Sequence, residues 1–366
     1  VNEKSIVGFN YNTTKLPQVI FGYNSDDGFL MGGGVSRRTF GFRNIPYATD
    51  QKLSFLYAPA NRAVQFRYRG EFNHITRNND LLINFQYATP ALKNFFGFGN
   101  STVPLPSKSK DYYQTRYRTL EAELLVRKRF FEKMHVMAGP WFFNYQNKYS
   151  DNRNNILGQP REIGLDSARI FSKKSYLGAK ALIRIDNRNN EVFPTRGLLW
   201  NSQFTAAAGM GHGSNNLSSV LSDMTLYASL SDPAKVVAVL KFGGGRIFSK
   251  NFEFFQAMDF GSNTNLLGFR KNRFAGRSML YTGIEMKIKL FEVNSYILPG
   301  AIGITTFYNA GRVWHPNDQP GSWHGAYGFG FYYNPLNLFS ITASAGFSEK
   351  ERIYNITLGT RINLTY

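Results

Sequence analysis

The sequence predicts an all-β fold, a sixteen-stranded antiparallel transmembrane β-barrel, and three observations lead there. Apolar and polar residues alternate through most of the chain, with almost no helical periodicity. Several alternating segments run for about 12 residues or more, whereas a membrane strand needs about 9–11 and soluble strands average about 5–6. The longest connections all fall at odd positions in the strand order, so they emerge at one rim. A soluble sandwich would place the same apolar faces in a core; strand length decides against it.

Taken in order, alternating segments are centred near residues 21, 34, 55, 67, 85, 120, 140, 180, 202, 223, 240, 285, 304, 328, 342 and 360. In the eighth, Leu177, Ala179, Ala181, Ile183 and Ile185 oppose Lys180, Arg184 and Asp186. In the twelfth, Leu280, Ile284, Met286, Ile288 and Leu290 oppose Tyr281, Glu285, Lys287 and Lys289. The last two repeat the pattern, Phe339 to Phe347 and Tyr354 to Tyr366. The apolar face should meet lipid and the polar face the lumen, with Phe339, Phe347, Tyr354 and Tyr366 in interfacial girdles. The long connections, at about 90–111, 149–174 and 249–277, are the fifth, seventh and eleventh; even-numbered turns such as Ser231-Asp232-Pro233 are mostly tight. Residues 1–16 lack the alternation and are expected to be a periplasmic linker, with the barrel spanning 17–366. The chain begins Val1-Asn2-Glu3-Lys4 and is expected to be a mature form or a fragment of a longer protein.

Composition narrows the function classes. In 366 residues, 43 Lys+Arg against 24 Asp+Glu give a net charge of +19, yet charged residues are only 18% of the chain, below the usual value of about 25%. Aromatics at 16% exclude disorder. Nucleic acid is not the expected partner, because the densest basic group is only Arg127-Lys128-Arg129 and the cations otherwise alternate along strands. Without cysteine there is no disulfide framework or thiolate metal site. His74, His135, His212, His315 and His324 are scattered, and His315 and His324, beside Trp314 and Trp323, fit an aromatic rim better than a metal site. No hydrolase elbow, zinc-protease motif or P-loop occurs; Gly32–Gly34 and Gly243–Gly245 fall within strands. No cofactor, metal or catalytic residue is expected in the barrel itself. Arg67, Arg69, Lys180, Arg184, Lys287 and Lys289 would line the lumen, either favouring anions or balanced by groups such as Glu285 and Asp186.

One seam invites attention. The first strand, about Gln18 to Asn24, follows Pro17 and contains Gly22, whereas the last runs from Ile353 to Tyr366. A long strand closing on a short one leaves unpaired edge groups, which invites strand addition around Ile20, Gly22, Ile362, Leu364 and Tyr366.

Particular stretches carry a family resemblance. The closing strand Gly359 to Tyr366 resembles the C-terminal signal of outer-membrane barrels. Asn263-Thr264-Asn265-Leu266-Leu267-Gly268-Phe269-Arg270-Lys271-Asn272-Arg273-Phe274-Ala275-Gly276 is similar to the Arg-Gly-aromatic loop of the BamA/TamA superfamily. Asp186 to Gly197 and Phe307 to Val313 match it in the same order. Within that superfamily, Phe252 to Ala257 and Arg273 to Tyr281 most resemble barrels C-terminal to a calcineurin-like metallophosphoesterase, although no phosphoesterase metal motif occurs in this chain.

The resemblance implies an integral outer-membrane barrel whose sixth outer loop folds into the lumen, pinned by a loop Arg to an Asp of strand 13. It also implies a seam between strands 1 and 16 that admits client strands. At the two pin positions this sequence has Leu267 and Asn309, with Gly311 nearby, so the loop would be held instead by Arg270 or Arg273, by Asn309 as a neutral partner, or not at all. Losing both charges together is coherent, since one alone would be stranded at a cost of several kcal/mol. Three functions follow as alternatives: an assembly or translocation barrel working through its seam; an anchor or export pore for an upstream periplasmic or surface enzyme domain; and a passive anion-preferring porin. Expected partners are outer-membrane lipid and lipopolysaccharide, and client barrels or assembly-complex subunits.

Overall fold

The computed structural model describes residues 13–24, 28–41, 47–76, 78–131, 133–211, 213–261, 265–316, 318, 321–336, 339–349 and 351–360. Its barrel strands are β1 (Thr14–Asn24), β2 (Gly28–Thr39), β3 (Thr49–Ala58), β4 (Ala63–Thr76), β5 (Asn79–Asn94), β6 (Gln114–Phe130), β7 (Met134–Gln146) and β8 (Lys174–Asp186). They continue as β9 (Gly197–Met210), β10 (Leu217–Ser229), β11 (Val236–Ile247), β12 (Ser278–Val293), β13 (Gly300–Trp314), β14 (His324–Pro335), β15 (Phe339–Phe347) and β16 (Arg352–Thr360). Each pairs antiparallel with its sequence neighbours, and β1 meets β16 to close the barrel. All sixteen expected segments correspond to strands, and the fifth, seventh and eleventh connections are the long ones.

Facing follows the alternation. On β12, Leu280 and Ile284 are exposed on the outer wall while Glu285 turns inward to Thr305 and Lys241. On β8, Leu177 and Ile183 are exposed and Lys180 is buried inside. An outward belt that includes Phe21, Leu53, Leu124, Phe329 and Tyr354 would be costly in water and is matched to lipid, while closure satisfies the backbone polar groups that lipid cannot. Phe347 stacks on the exposed rings of Tyr327 and Phe329. The side chains of Phe339 and Tyr366 lie outside the described residues. The glycine runs Gly32–Gly34 and Gly243–Gly245 are within β2 and β11; Gly243 lies under the ring of Tyr281 across the β11–β12 pair, which leaves no space for a side chain.

The first strand differs from expectation. It starts at Thr14, not Gln18, so Thr14, Lys15 and Leu16 belong to the barrel, paired with Arg38, Arg37 and Ser36. Pro17 lies inside β1 opposite Val35. A proline is tolerated there because its missing N–H can point to the edge away from β2. Residues 1–12 of the expected linker, and residues 361–366 of the last strand, lie outside the described residues.

Candidate functional site

The eleventh connection packs against inward-facing residues of the barrel wall. Its 3-10 turn, Phe254–Gln256, is closed by a reciprocal capping box between Glu253 and Gln256. Glu253 is buried and pairs with Arg169 at 3.0 Å and Lys174 at 3.1 Å, tying this loop to the seventh connection and β8. The turn drives Phe254 and Phe255 into an aromatic core: Phe255 stacks on Tyr145 at 4.1 Å, and Phe254 lies 5.4 Å from Phe95. A two-stranded ribbon follows, Met258–Phe260 with Phe274–Gly276, and the fifth connection joins it where the Gly99 N–H donates to the Ala275 carbonyl at 2.8 Å. Lys93 of β5 reaches Asp259 at 2.5 Å, and Asn272 Nδ2 donates to the same carboxylate at 2.6 Å. The fifth, seventh and eleventh connections thus make a dome with an apolar core inside one end of the barrel.

Between the ribbon strands, the loop residues singled out by sequence lie against the inner wall. Leu266 and Phe269 are buried with Val313 of β13 and Ala326 of β14. Gly268 has no room for a side chain: a Cβ there would sit 2.6 Å from Ala326 Cβ and 2.8 Å from the Phe347 carbonyl oxygen. The Leu267 carbonyl lies equally close over Gly346. Phe274 stacks on His324 at 3.9 Å, and His315 stacks on Phe98 at 5.0 Å; both histidines serve as rim aromatics. Among the described residues no group of three or more His, Asp or Glu is placed to hold a metal.

Arg273 links the loop to two other segments. Its Nε donates to Glu351 Oε1 at 3.1 Å, Nη1 to Thr102 Oγ1 at 2.9 Å and Nη2 to the Thr102 carbonyl at 2.6 Å. Its guanidinium lies between the rings of Phe96 and Phe274, at 4.7 and 4.4 Å. The other Glu351 oxygen accepts the Arg270 backbone N–H at 2.7 Å. A buried ion pair is stable only when its remaining donors and acceptors are satisfied, and here they are. Burial holds Arg273 below its ordinary pKa, opposed by the charge of Glu351. Asn309 is buried on β13 over Gly283, and its Nδ2 has no hydrogen-bond partner among the described residues; Gly311 lies under the Phe260 ring. The structure therefore brings Arg270 and Arg273 to Glu351 and Thr102, and leaves Asn309 apart from them. Sequence reasoning missed Glu351 and Thr102. The signal available for Glu351 was a carboxylate just before the closing strand, within reach of any inward arginine.

The lumen wall is ionic on one side. Lys180 pairs with Glu121 at 3.0 Å and also with Glu123; Lys241 and Lys287 share Glu285, and Arg184 and Arg188 share Asp186. Arg69 pairs with Glu71, Lys289 with Glu292, and Arg67 donates to Gln86 at 2.9 Å. Five of the six expected lumen cations thus face a carboxylate of the barrel itself, and Arg67 meets the neutral Gln86. Around the closure the inward residues of β14, β15, β16 and β1 are uncharged and include several small ones, Gly328 and Gly330 on β14, Thr342 and Ser344 on β15, Thr357 on β16 and Gly22 on β1, with Gly32 and Gly34 on β2, beside the buried Ile20, Tyr332 and Ile353.

At the closure, β1 is paired to β16 among the described residues only through Tyr23↔Ile356 and Asn24↔Asn355. On its other side β1 is paired to β2 along its whole length, from Thr14↔Arg38 to Asn24↔Gly28. Ile20 is buried opposite Gly32, whereas Gly22 faces open space. Ile362, Leu364 and Tyr366 lie outside the described residues.

Comparison with known proteins places this architecture. A family model described as the Omp85 superfamily domain matches residues 61–348. Among solved structures, BamA from Haemophilus ducreyi lacking POTRA domains 1–3 is similar with a TM-score of 0.68 and 15% identity, covering 95% of this chain and 70% of that one. CdiB from Escherichia coli is similar with a TM-score of 0.59 and 12% identity, covering 94% of this chain and 61% of that one. CdiB from Acinetobacter baumannii is similar with a TM-score of 0.55 and 12% identity, covering 95% and 60%. The chain thus spans less than two thirds of either CdiB. No curated protein matches significantly. With more than half of its length matched by the family model, and the resemblance to BamA/TamA barrels supported by the fold, the chain belongs to the Omp85 superfamily and is an integral outer-membrane β-barrel.

Proposed function

We propose that this barrel takes part in outer-membrane protein assembly or protein translocation, working through the seam between β1 and β16, with its long connections facing the cell exterior. The observation that carries the reading is at Val19–Gly22 of β1, which pair with β2 but not with residues 357–360 of β16 that the register would set opposite them. An unsatisfied backbone group in a bilayer costs several kcal/mol, so a β-strand added at that edge is strongly favoured. The inner wall beside the seam carries no charged side chain that a new strand would have to desolvate. Client barrels or assembly subunits are the corresponding partners.

The absence of cysteine makes the test clean. Tyr23→Cys with Ile356→Cys, at directly opposed positions, should form a disulfide that locks the seam. A second set would scan Ile20 and Gly22 against Ile362 and Leu364. Oxidative locking in cells is expected to stop the assembly of other barrels, or secretion, with recovery on reduction.

A second reading is favoured by Leu267 and Asn309 at the pin positions and by the apolar dome: an anchor or export pore for an upstream enzyme domain. Complete crosslinking with no loss of assembly or secretion would select it over the first.

A further inference from the structure

We propose that the outer wall of β6–β8, at the rim bearing the long connections, holds a binding site for a phosphate group of an outer-leaflet glycolipid. Strand register places Arg118 directly opposite Gln146, and Lys173 immediately precedes Lys174, which pairs with Tyr145; Arg118, Gln146 and Lys173 therefore form one row across three strands. The row faces outward, since it has the same facing as Leu124, Val126 and Leu177, which are exposed on the lipid side. One outward step down lie Leu120, Asn144 and Ser175, and the next brings Ala122, Phe142 and Leu177. At about 3.4 Å per residue, the basic row stands about 14 Å along the strands from the apolar one, at the level where acyl chains give way to headgroups.

Two further observations distinguish this row from an ordinary solvated basic face. Arg118 and Lys173, with Lys148 from the start of the seventh connection, line one cavity of about 180 Å³. At about 30 Å³ per water that is room for about six waters, which suits a phosphate with its linking atoms. None of the three cations makes an ion pair with a described carboxylate, in a protein whose lumen cations mostly do. The one acidic residue at the cavity, Asp151, accepts instead from Ser150 Oγ at 3.1 Å.

The charge of a phosphate there would be met by the three cations, the pairing for which Arg and Lys are best suited. The assignment rests on the orientation given above, and is independent of whether the seam works.

The test is native mass spectrometry of the full chain released from micelles containing bisphosphorylated lipid A, lipid A stripped of phosphate, or inorganic phosphate alone. The native chain is expected to retain bisphosphorylated lipid A and not the stripped form. With each surface cation contributing about a factor of five, Arg118→Gln/Lys148→Gln/Lys173→Gln should lower retention by about a hundredfold. Lys148→Arg/Lys173→Arg, which keeps the charge, should retain lipid A as the native chain does. Heat-modifiable gel migration establishes that each variant is folded. Equal retention by the native chain and the triple Gln variant, or equal retention of the stripped lipid, overturns the site. Displacement of lipid A by equimolar inorganic phosphate overturns its assignment to a lipid headgroup.

Discussion

Arg273 Nε and Glu351 Oε1 meet at 3.1 Å where the inward loop touches the hairpin that carries the closing strand, since Glu351 immediately precedes β16. The ion pair therefore joins the loop to the strand that meets β1 at the barrel closure. Removing one partner leaves a buried charge unpaired, at a cost of about 3–5 kcal/mol. Arg273→Ala or Glu351→Ala should expose the eleventh connection to protease, and the double variant should cost less than the sum of the two. Digestion rates unchanged from the native chain would show that the pair does not hold the loop.

Two glycines should respond in opposite ways. Gly268→Ala places a methyl group against Ala326 and the Phe347 backbone, and overpacking of this kind costs about 1–3 kcal/mol. Gly22→Ala meets open space and should change stability by no more than about 0.5 kcal/mol. Urea midpoints of the two variants in one detergent measure the difference.

The dome depends on Phe255, whose ring lies within 6.4 Å of those of Tyr145, Phe143, Tyr117 and Tyr176. Phe255→Ala should destabilise the dome by about 3–5 kcal/mol. In planar bilayers the native barrel is expected to give small, flickering currents, and the variant longer and larger openings. Large steady conductance from the native barrel would instead favour the porin alternative.

Acid should loosen the thirteenth connection. Burial, and then the nearby charge of Arg277, hold His315 below the ordinary histidine range, with Asp318 opposing. The unfolded chain then binds the proton more tightly than the folded one. Stability from this group is complete above the unfolded value of about 6.5, and declines as pH falls from there toward the lower folded value. His315→Phe should keep the stack on Phe98 and remove that part of the difference between melting midpoints at about pH 7.5 and 5.5.

The barrel was legible because lipid on one face and a charged lumen on the other impose strict alternation, so segments such as Leu280–Leu290 declare their facing residue by residue. The start of β1 was not, because Pro17 reads as a boundary unless the edge that its nitrogen faces is known. The inward loop was recognisable from Leu267 to Arg273, yet its anchor was not. Arg273 and Glu351 lie far apart in sequence, and only the folded loop selects that carboxylate. The row of Arg118, Gln146 and Lys173 likewise arises from register across three strands, which no single segment displays.

The uneven inner wall also has a mechanical side. Sliding neighbouring strands by two residues keeps every side chain on its own face but separates every cross-strand ion pair. From β6 to β8, and between β11 and β12, such a slip would break the bonds of Lys180 to Glu121 and Glu123 and of Lys241 to Glu285. From β14 round to β1 it would break no cross-strand ion pair among the described residues. Cross-strand ion pairs therefore resist sliding on one side of the circumference, and the closure lies on the side without them.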